Sequence, residues 1–558
     1  MRYFLQRLLA ALLWTSIASM AQTSTPALDR AATSDSSGYV GNRACAGCHS
    51  AIYDSYVKTS MANASGPAID TLIPADFVHH KSGVHYRIYA DDSHDKVWLS
   101  FERPNDPQVR GKRQLLYYIG SGRRGRSYLF AVDGFLFESP VNWYTNRHLW
   151  DMAPAYGSAT QIPMNLPAFT SCLHCHVSGL QPPVKGTQNR YPVPPFSYSG
   201  VTCERCHGPG AAHAKGGAIV NPAKLDPARR DAVCMQCHLE GKAAIERPGR
   251  HIYDFRPGEA LSDYVHYFVF ADQQRGLGAV SQVEALAQSV CKKKSGDAMS
   301  CTSCHDPHFE PSAAERVAYY RRKCLACHAK VGTKHHTGQP DCTACHMPSS
   351  LSTDVAHTEV TDHRILRRPP VSPEFLQDGN AQPPLPRLVR FPDPQKTDED
   401  ARDLALAYES LVEGGMTAAA PEAERVLRSA VEKSPKDPTL LSALAYSAQK
   451  KGDIDHAREL YEKALGIDPT LIDAATNLGV IEATRGHLRE AVRLWEDAFQ
   501  RAPGQSRIGM NIARVLCDAG QPGSARDYVL RVLEFNPDLP EAKTLLQGLN
   551  GSPPKCGH

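Results

Sequence analysis

Three hydrophobic patterns follow one another along the 558-residue chain. At the N-terminus, an apolar run from Leu8 to Ile17 follows the basic residues Arg2 and Arg7 and ends at small residues. This order is typical of a secretory signal peptide, because the run is shorter than the roughly 20 apolar residues of a membrane-spanning helix. We predict a signal peptide over residues 1–21 and no transmembrane segment in the mature chain.

The second pattern is an alternation of apolar and polar residues. The segments HYRIYA, KVWLSF, LLYYIG, SYLFAV and FLFES are rich in aromatic and β-branched residues, and Gly, Asp, Asn and Pro separate them. Such runs are typical of short strands joined by turns. We predict a small antiparallel β-meander over residues 76–140, inserted into the surrounding domain.

The third pattern repeats every 34 residues near the C-terminus. Small residues and turn residues share this period, at Ala423, Ala457, Ala491, Ala525, Gly452, Gly486, Gly520, Pro435, Pro469, Pro503 and Pro537. It is the period of tetratricopeptide repeats, in which paired antiparallel helices approach at a small residue. We predict an α-solenoid over residues 401–550, connected by a proline-rich linker over residues 364–400. Its concave face is expected to bind a protein or peptide partner, and docking on its own N-terminal domain is the alternative.

Composition adds little until the cysteines are considered. The chain has 42% hydrophobic and 22% charged residues and a formal net charge of +3, which is typical of a globular protein and gives no indication of nucleic-acid binding. Seventeen cysteines in an exported chain would normally suggest a disulfide framework. Their spacing indicates a different chemistry.

The pentapeptide Cys-x-x-Cys-His occurs seven times and contains 14 of the 17 cysteines. Its cysteines are Cys45, Cys48, Cys172, Cys175, Cys203, Cys206, Cys234, Cys237, Cys301, Cys304, Cys324, Cys327, Cys342 and Cys345. Its histidines are His49, His176, His207, His238, His305, His328 and His346. Zinc needs four tetrahedral ligands but no histidine after every second cysteine, and a thioredoxin-like pair usually occurs once.

Covalent haem c explains the whole motif. Two thiols three residues apart reach the two vinyl groups of a porphyrin, and the adjacent imidazole reaches the iron as its proximal ligand. We therefore predict seven haem c groups, attached through the 14 cysteines, with the seven motif histidines as proximal ligands.

The motifs are dense. They fall between Asn42 and His363, which leaves about 46 residues for each haem. We expect residues 22–363 to form a heptahaem domain of short helices, in which porphyrins replace much of the usual apolar core. The predicted fold class is mainly α, with this haem-packed domain and its small β-meander followed by the α-solenoid.

The sequence also offers second axial ligands. The chain has 24 histidines, more than enough for two at every iron. His308 lies too close to His305 to reach the other face of the same haem, so we expect it to serve a neighbouring one. The candidate distal ligands are His79, His148, His213, His308, His336, His357 and His363. His49 has no histidine in the next 29 residues, which makes its haem the best candidate for an open coordination position.

Several segments resemble a known group of proteins. YVGNRACAGCH, CERCHGPGAAH, CMQCHLE, MSCTSCHDPH and DCTACHMP are similar to sequences of bacterial exported multihaem cytochromes c of the cytochrome c-552/4 type, with doubled Cys-x-x-Cys-His motifs and C-terminal tetratricopeptide repeats. The resemblance implies periplasmic electron transfer and bis-histidine ligation in which His213, His308 and His363 are distal. Relatives include nitrogen-cycle oxidoreductases, but the chain has no Cys-x-x-Cys-Lys motif of the nitrite-reductase type.

The sequence favours a periplasmic or secreted electron carrier over an enzyme. It would relay electrons between redox partner proteins, with no catalytic residue assigned and with the repeats docking a partner. The alternative is a multihaem oxidoreductase that acts on a small nitrogen or sulfur compound at one five-coordinate haem.

Three cysteines lie outside the motifs. We expect Cys517 to be a buried, small apolar side chain on a helix. Cys291 and Cys556 are expected to be free thiols.

Overall fold

The computed structural model describes residues 38–556, except residues 158, 272–276, 330–338, 354, 356, 369–386 and 394–399. The predicted signal peptide and the candidate ligand His336 lie outside the described residues. Within the described ranges, no helix has both the length and the apolar character needed to cross a membrane.

The helices fall into two groups. Eight short ones accompany the cysteine motifs in the described part of the N-terminal region: α1 Asn42–Tyr56, α2 Thr170–His176, α3 Glu204–His207, α4 Pro227–His238, α5 Gln282–Gln288, α6 Val290–Ser295, α7 Arg316–His328 and α8 Cys342–His346. The C-terminal helices are longer on average: α9 Ala401–Glu413, α10 Ala420–Lys433, α11 Pro438–Lys450, α12 Ile454–Ile467, α13 Ile472–Thr484, α14 Leu488–Arg501, α15 Ser506–Asp518, α16 Pro522–Phe535 and α17 Pro540–Leu549.

Strands occur only before the C-terminal helices in the described chain. They are β1 Ser65–Pro67, β2 Ala75–His79, β3 Val84–Ala90, β4 Val97–Arg103, β5 Asp106–Leu115, β6 Tyr117–Ile119, β7 Gly125–Val132, β8 Phe135–Glu138, β9 Val141–Tyr144, β10 Leu149–Met152, β11 Val177–Leu180, β12 Phe196–Ser199, β13 Ala243–Glu246, β14 Val265–Phe270, β15 Ser349–Leu351, β16 Glu359–Thr361 and β17 Leu388–Phe391.

The β-rich insertion is larger than the meander predicted over residues 76–140. Strands β2 to β5 do form an antiparallel meander in chain order, but β1, β6, β7, β9 and β10 form a second sheet, with β8 paired to β7. Tyr86, Leu99 and Phe130 are almost completely buried in one core shared by the two sheets. The second sheet recruits β1, whose sequence Ser-Gly-Pro carries no strand pattern, so sequence alone could not reveal it.

One strand comes from the segment predicted as a linker. β17 pairs antiparallel with β14, which pairs with β13, so part of residues 364–400 belongs to a three-stranded sheet. The first solenoid helix α9 packs on this sheet, where Phe268 and Leu388 join the same core as Ala405. The sheet therefore covers the N-terminal end of the solenoid.

The mainly α fold with a C-terminal solenoid is confirmed. Helices α9 and α10, α11 and α12, α13 and α14, and α15 and α16 pack as pairs, and α17 covers the last pair. The periodic alanines are no more than 2% exposed, as expected where helices approach closely. The periodic glycines have φ of 84°, 84° and 75°, a left-handed conformation that favours glycine at the turn after the first helix of each pair.

The prediction for two non-motif cysteines was wrong. Cys517 and Cys556 form a disulfide, so Cys517 is not merely a buried apolar side chain and Cys556 is not a free thiol. The C-terminal segment turns back onto α15, and the backbone amide of Lys555 donates to the carbonyl of Gly548. No sequence spacing predicts this return. Cys291 is an unpaired thiol, as expected.

The solenoid docks on the β-rich insertion of its own chain. Phe535, 1% exposed at the end of α16, packs edge-on against Phe137 with 5.6 Å between ring centres. The buried carboxylate of Asp538 accepts two hydrogen bonds from Arg103, at 3.0 and 2.5 Å, and one from the backbone amide of Ile162 at 3.0 Å. This contact joins an aromatic anchor to a bidentate ion pair.

Further contacts follow the same edge of the solenoid. The Asn165 side chain donates to the carbonyl of Gly504 in the loop before α15, at 3.1 Å. Lys543 on α17 pairs with Asp106 at 2.8 Å. These contacts with the insertion involve the loop before α15, the end of α16 and helix α17.

We predict that Phe535→Ala destabilises the docked solenoid by about 3–5 kcal/mol, because it removes a buried aromatic side chain. Leu530→Ala on the same helix is the control, since Leu530 is 40% exposed and its loss should cost less than about 0.5 kcal/mol. Guanidinium unfolding followed by far-UV circular dichroism measures both. Equal shifts in the two variants would show that Phe535 is not an anchor.

Candidate functional site

The histidine of each motif lies where a helix ends or is interrupted. Five helices end at a motif histidine, namely α2, α3, α4, α7 and α8. Helix α1 leaves helical geometry at His49, with φ of −121° and ψ of 41°. The fifth motif forms a 3₁₀ turn over Cys301–Ser303, which Ser300 caps. Each motif thus combines cysteines on one turn with a histidine that departs from the helix direction.

In several motif histidines, one ring nitrogen already takes part in a hydrogen bond. Nδ1 of His176 lies 3.2 Å from the carbonyl oxygen of Ala64. Nδ1 of His207 lies 2.9 Å from the carbonyl oxygen of Val220, and Nδ1 of His346 lies 2.7 Å from that of Leu366. A carbonyl can only accept, so Nδ1 carries the proton in these rings and Nε2 is left with a free lone pair. This is the usual state of a metal-binding imidazole.

Two other motif histidines contact side chains at the same position. Nδ1 of His238 lies 3.4 Å from Oε1 of Gln282, and Nδ1 of His305 lies 3.3 Å from the hydroxyl of Tyr320. Sequence reasoning did not identify these two partners, because each lies 15 or more residues from its histidine and outside any motif. The three carbonyl partners belong to the backbone, so no residue type in the sequence marks them.

Three motif histidines face a second histidine. The ring centres are 6.3 Å apart for His49 and His213, 6.0 Å for His207 and His308, and 6.3 Å for His305 and His363. The ring planes are inclined by 14°, 11° and 27°, respectively. Two imidazoles that bind one metal from opposite sides, with metal–nitrogen distances of about 2.0 Å, have ring centres about 6.3 Å apart.

Two of the facing histidines also have Nδ1 within hydrogen-bond distance of a backbone carbonyl. Nδ1 of His213 lies 3.0 Å from the carbonyl oxygen of Gly217, and Nδ1 of His363 lies 2.9 Å from that of Thr361. Nε2 is again the nitrogen left free. The residues of these pairs fit an iron with two axial imidazoles.

The structure places a second histidine opposite His49, where the sequence surroundings suggest an open coordination position. This histidine, His213, comes from a segment far along the chain and lies beyond the 29 histidine-free residues that follow His49. Local spacing failed here because the fold supplies the partner from the region of the third motif.

The other candidate distal ligands lie elsewhere. Nδ1 of His79 is 2.8 Å from the Ser82 hydroxyl, and His148 is exposed with a left-handed backbone. Nε2 of His357 is 2.9 Å from a carboxylate oxygen of Asp151. Within the described ranges, none of these three rings faces a motif histidine, and His336 is not described. Their assignment as ligands stays a prediction.

The cysteines bring the motifs together. In four places a thiol of one motif lies near enough to a thiol of another to affect its pKa: Cys203 lowers the pKa of Cys45, Cys237 raises that of Cys175, Cys301 raises that of Cys234, and Cys342 adds to the effect of burial in raising that of Cys324. All 14 motif cysteines are nevertheless unpaired thiols in the described structure, while the one disulfide uses two cysteines outside the motifs. A disulfide framework is therefore not what the motif cysteines form.

A different group has the composition of a metal site. The ligand atoms of His266, Asp400 and Asp403 lie within 4.8 Å of one another, at the contact between β14 and α9. Arg247 donates to Asp403 at 2.7 Å, Arg402 donates to the other oxygen of Asp403 at 2.7 Å, and Arg390 pairs with Asp400. Because these arginines neutralise both carboxylates, we interpret the group as an ion-pair network between the domains.

Known families match parts of the chain on both sides of this contact. Residues 143–208 match the family described as cytochrome c554 and c-prime, and residues 294–333 match the doubled CXXCH motif family. Residues 404–472 and 482–549 match two tetratricopeptide repeat families. This chain is a multihaem c-type cytochrome with tetratricopeptide repeats. Such cytochromes carry covalently bound haem c, and Cys-x-x-Cys-His is the motif that binds it.

Individual relatives of this cytochrome share only parts of it. The multihaem cytochrome MtrA of Shewanella baltica (strain OS185) is 26% identical over 179 residues, which are 29% of this chain and 52% of that protein. The protein CTR9 homologue of Arabidopsis thaliana is 32% identical over 99 residues, 17% of this chain and 9% of that protein. The structure of PilF from Pseudomonas aeruginosa is 27% identical and covers 27% of this chain and 68% of that chain, with a TM-score of 0.24. The matched part thus spans about half of MtrA and less than a tenth of the CTR9 homologue.

The ion-pair network predicts a pH dependence of stability. Burial raises the pKa of Asp403, but hydrogen bonds from His266, Arg247 and Arg402 outweigh burial and lower it. The ionised carboxylate therefore stabilises the folded cytochrome above the unfolded pKa of about 3.9, and this contribution is lost as the pH falls through the folded pKa. We expect Asp403→Asn to lower the free energy of unfolding by about 3–5 kcal/mol at pH 7 and by much less at pH 3.

Denaturant unfolding of the holoprotein at both pH values measures this effect. The control is Asp455→Asn, since Asp455 is 88% exposed and pairs only at the surface with Arg485. A loss for Asp403→Asn that is the same at pH 7 and pH 3 would contradict the role of its charge.

Proposed function

We propose that this cytochrome relays electrons between redox partner proteins outside the cytoplasm, through seven covalently bound haem c groups. The observation that carries the proposal is the set of three imidazole pairs, His49 with His213, His207 with His308, and His305 with His363. Haem c supplies one-electron chemistry when bound, and an iron with two axial imidazoles has no free position for a substrate.

The residues of the motifs have distinct roles in this proposal. The 14 motif cysteines hold the porphyrin edge through thioethers, and the seven motif histidines are the proximal ligands. Backbone carbonyls such as those of Ala64, Val220 and Leu366 accept the Nδ1 proton and hold the ring orientation. Such partners orient a ligand and increase its basicity.

The facing histidines follow a regular order along the chain. His213 follows the third motif and faces the histidine of the first, and His308 follows the fifth motif and faces that of the third. His363 follows the seventh motif and faces that of the fifth. The third, fifth and seventh motifs are therefore each followed by the histidine that faces the preceding odd-numbered motif. This order supports close packing of successive sites, as electron transfer between them requires.

The remaining sites receive less support. His79, His148, His336 and His357 stay our candidates for the distal ligands of the other four motifs. For the chain as a whole, we propose removal of residues 1–21, a periplasmic location, a haem domain over residues 22–363 and a solenoid over 401–550 that docks a protein partner. N-terminal sequencing of the exported protein tests the cleavage, with Gln22 as the expected first residue.

A multihaem oxidoreductase is the second candidate. In the described part of the chain, His176, His238, His328 and His346 face no second histidine ring. One of these four sites, rather than the first motif, would then hold the open position at which a small nitrogen or sulfur compound binds.

Spin state distinguishes the two functions. We expect the mass of the intact protein to exceed that of the polypeptide by seven haems, and paramagnetic resonance to show low-spin ferric signals. His213→Ala, His308→Ala and His363→Ala should each convert one low-spin signal to high spin, and added imidazole should restore it. His94→Ala is the control, because His94 is an exposed turn residue.

The same spectra can also contradict the relay. A high-spin signal in the unmodified protein, lost on addition of nitrite or hydroxylamine, would favour the oxidoreductase. Unchanged spectra in all three histidine variants would contradict the ligand pairs themselves.

A further inference from the structure

The two residues between the cysteines of the third motif are charged and buried. Glu204 is 1% exposed and Arg205 is 6% exposed. Although the two residues are neighbours in the chain, no ion pair joins them within the described ranges, and each has contacts of its own. Moving a charge out of water is costly, so two separate buried charges at one motif require an explanation from their surroundings.

Glu204 contacts the start of the first motif. Its carboxylate accepts hydrogen bonds from the backbone amides of Val40 at 2.8 Å, Gly41 at 2.9 Å and Gly210 at 2.8 Å. Gly41 caps α1, the helix that carries the first motif. An ionised carboxylate only accepts hydrogen bonds, so three backbone donors match its charged form. The structure therefore holds a buried negative charge beside the first motif.

Arg205 contacts the second and fourth motifs instead. Nη2 of Arg205 lies 3.1 Å from the carbonyl oxygen and from both ring nitrogens of His174, in the second motif. The side chain of Gln236, in the fourth motif, donates to the carbonyl of Arg205 at 3.2 Å. Each of these three residues directly precedes the second cysteine of its motif. We call His174, Arg205 and Gln236 the three-motif junction.

The three-motif junction carries a positive charge without a carboxylate to balance it. An arginine side chain stays protonated in proteins, and neither an imidazole nor an amide supplies a negative charge. In the part of the chain that the structure describes, no carboxylate forms an ion pair with Arg205. The buried Oε1 of Gln236 has no hydrogen-bond partner among the described residues, so the junction is not a closed polar network. A full positive charge is therefore held where three motifs meet.

Other charges near these motifs compensate little. At the fourth motif, Asp231 pairs with Arg230 at 3.0 Å and with Lys292 at 3.7 Å. Near the second motif, burial raises the pKa of Glu138, which reduces its share of the negative charge. At the first motif, Arg43 is exposed, and solvent screens its charge. The buried charges of the third motif therefore dominate on both sides.

The thiols near the two residues respond to both charges. A hydrogen bond with Cys203 lowers the pKa of Cys45, and burial and then the charge of Glu204 oppose this effect. Burial raises the pKa of Cys206 to about 11, and the charge of Arg205 opposes the rise. Glu204 thus disfavours added negative charge at the first motif, whereas Arg205 favours it at the junction.

We propose that Glu204 and Arg205 give the haem domain a gradient of reduction potential. The negative charge of Glu204 lowers the potential at the first motif, and the positive charge of Arg205 raises the potentials at the second and fourth motifs, because a positive charge favours ferrous over ferric iron. This gradient rests on the proposed function and adds a direction to it.

The direction follows from the sign of each charge. One electron passes from ferrous iron at the first motif, which becomes ferric, to ferric iron at the second or fourth motif, which becomes ferrous. The redox partner proteins of the proposed function supply and remove that electron. Glu204 and Arg205 touch neither partner and act only through their charges, so they are positioning residues for the relay.

A redox titration of the full-length holoprotein at pH 7, followed by optical and paramagnetic resonance spectra, tests the gradient. Two unit charges about 10 Å apart at an effective dielectric constant of about 20 shift an equilibrium about tenfold, which is 59 mV for one electron. We expect Arg205→Gln to lower the potentials of two of the seven components by about this amount. Glu204→Gln should raise the potential of one component, the low-spin signal that His213→Ala removes.

Matched variants separate charge from structure. Arg229→Gln and Glu315→Gln remove the same charges from exposed positions and should shift no component more than twofold. Arg205→Lys keeps the positive charge and should retain the potentials, whereas Gln236→Glu adds a negative charge at the junction and should lower the same two components as Arg205→Gln. Gln236→Glu therefore tests the charge even where Arg205→Gln fails to fold. Intact mass and low-spin signals verify the folding of every variant.

Three results would overturn the gradient. They are unchanged components in Arg205→Gln or, where that variant does not fold, in Gln236→Glu; shifts of the same sign in Arg205→Gln and Glu204→Gln; and equal shifts in the exposed controls. Such results leave the low-spin ferric signals intact and do not touch the electron relay. A high-spin signal that nitrite removes would instead contradict the relay, and the charge-dependent shifts of the other components would remain.

Discussion

The N-terminal region depends on histidine rings that are fixed through one nitrogen so that the other is free. A carbonyl that accepts the Nδ1 proton settles both the tautomer and the ring plane, as Val220 does for His207 and Leu366 for His346. The carbonyls belong to loops that return from elsewhere in the chain, so the orientation of a motif histidine depends on distant backbone. Apolar clusters also pack against motif helices, as Leu173 and Val177 do at the second motif and Ala232 and Leu239 at the fourth.

The solenoid contacts the rest of the chain through two surfaces. Its edge, through Phe535 and Asp538, holds it to the β-rich insertion, and the sheet that contains β17 covers its first helix. Sequence reasoning treated partner binding and intramolecular docking as alternatives. The structure shows the intramolecular docking, which involves the loop before α15, the end of α16 and helices α9 and α17.

The sequence was most informative where chemistry or helix packing imposes a fixed spacing. The Cys-x-x-Cys-His motifs and the 34-residue repeat are such cases, and three predicted distal histidines, His213, His308 and His363, do face motif histidines. It was least informative where the partner is a backbone carbonyl or a distant loop. No pattern marks Ala64 as the acceptor for His176, Cys556 as the partner of Cys517, or Ser65–Pro67 as a strand. These contacts arise from long-range chain return, which local periodicity does not encode.

The exchange of histidines between motifs has a consequence for biosynthesis. A polypeptide that is exported from its N-terminus presents Cys45 and His49 long before His213 emerges, and His207 likewise precedes His308. With the proposed ligation, the earliest sites are loaded while half of their axial coordination is still being synthesised or translocated. Covalent haem attachment then follows the order in which the motifs are exported. Axial coordination is complete only later, after the final motif and His363 have been exported.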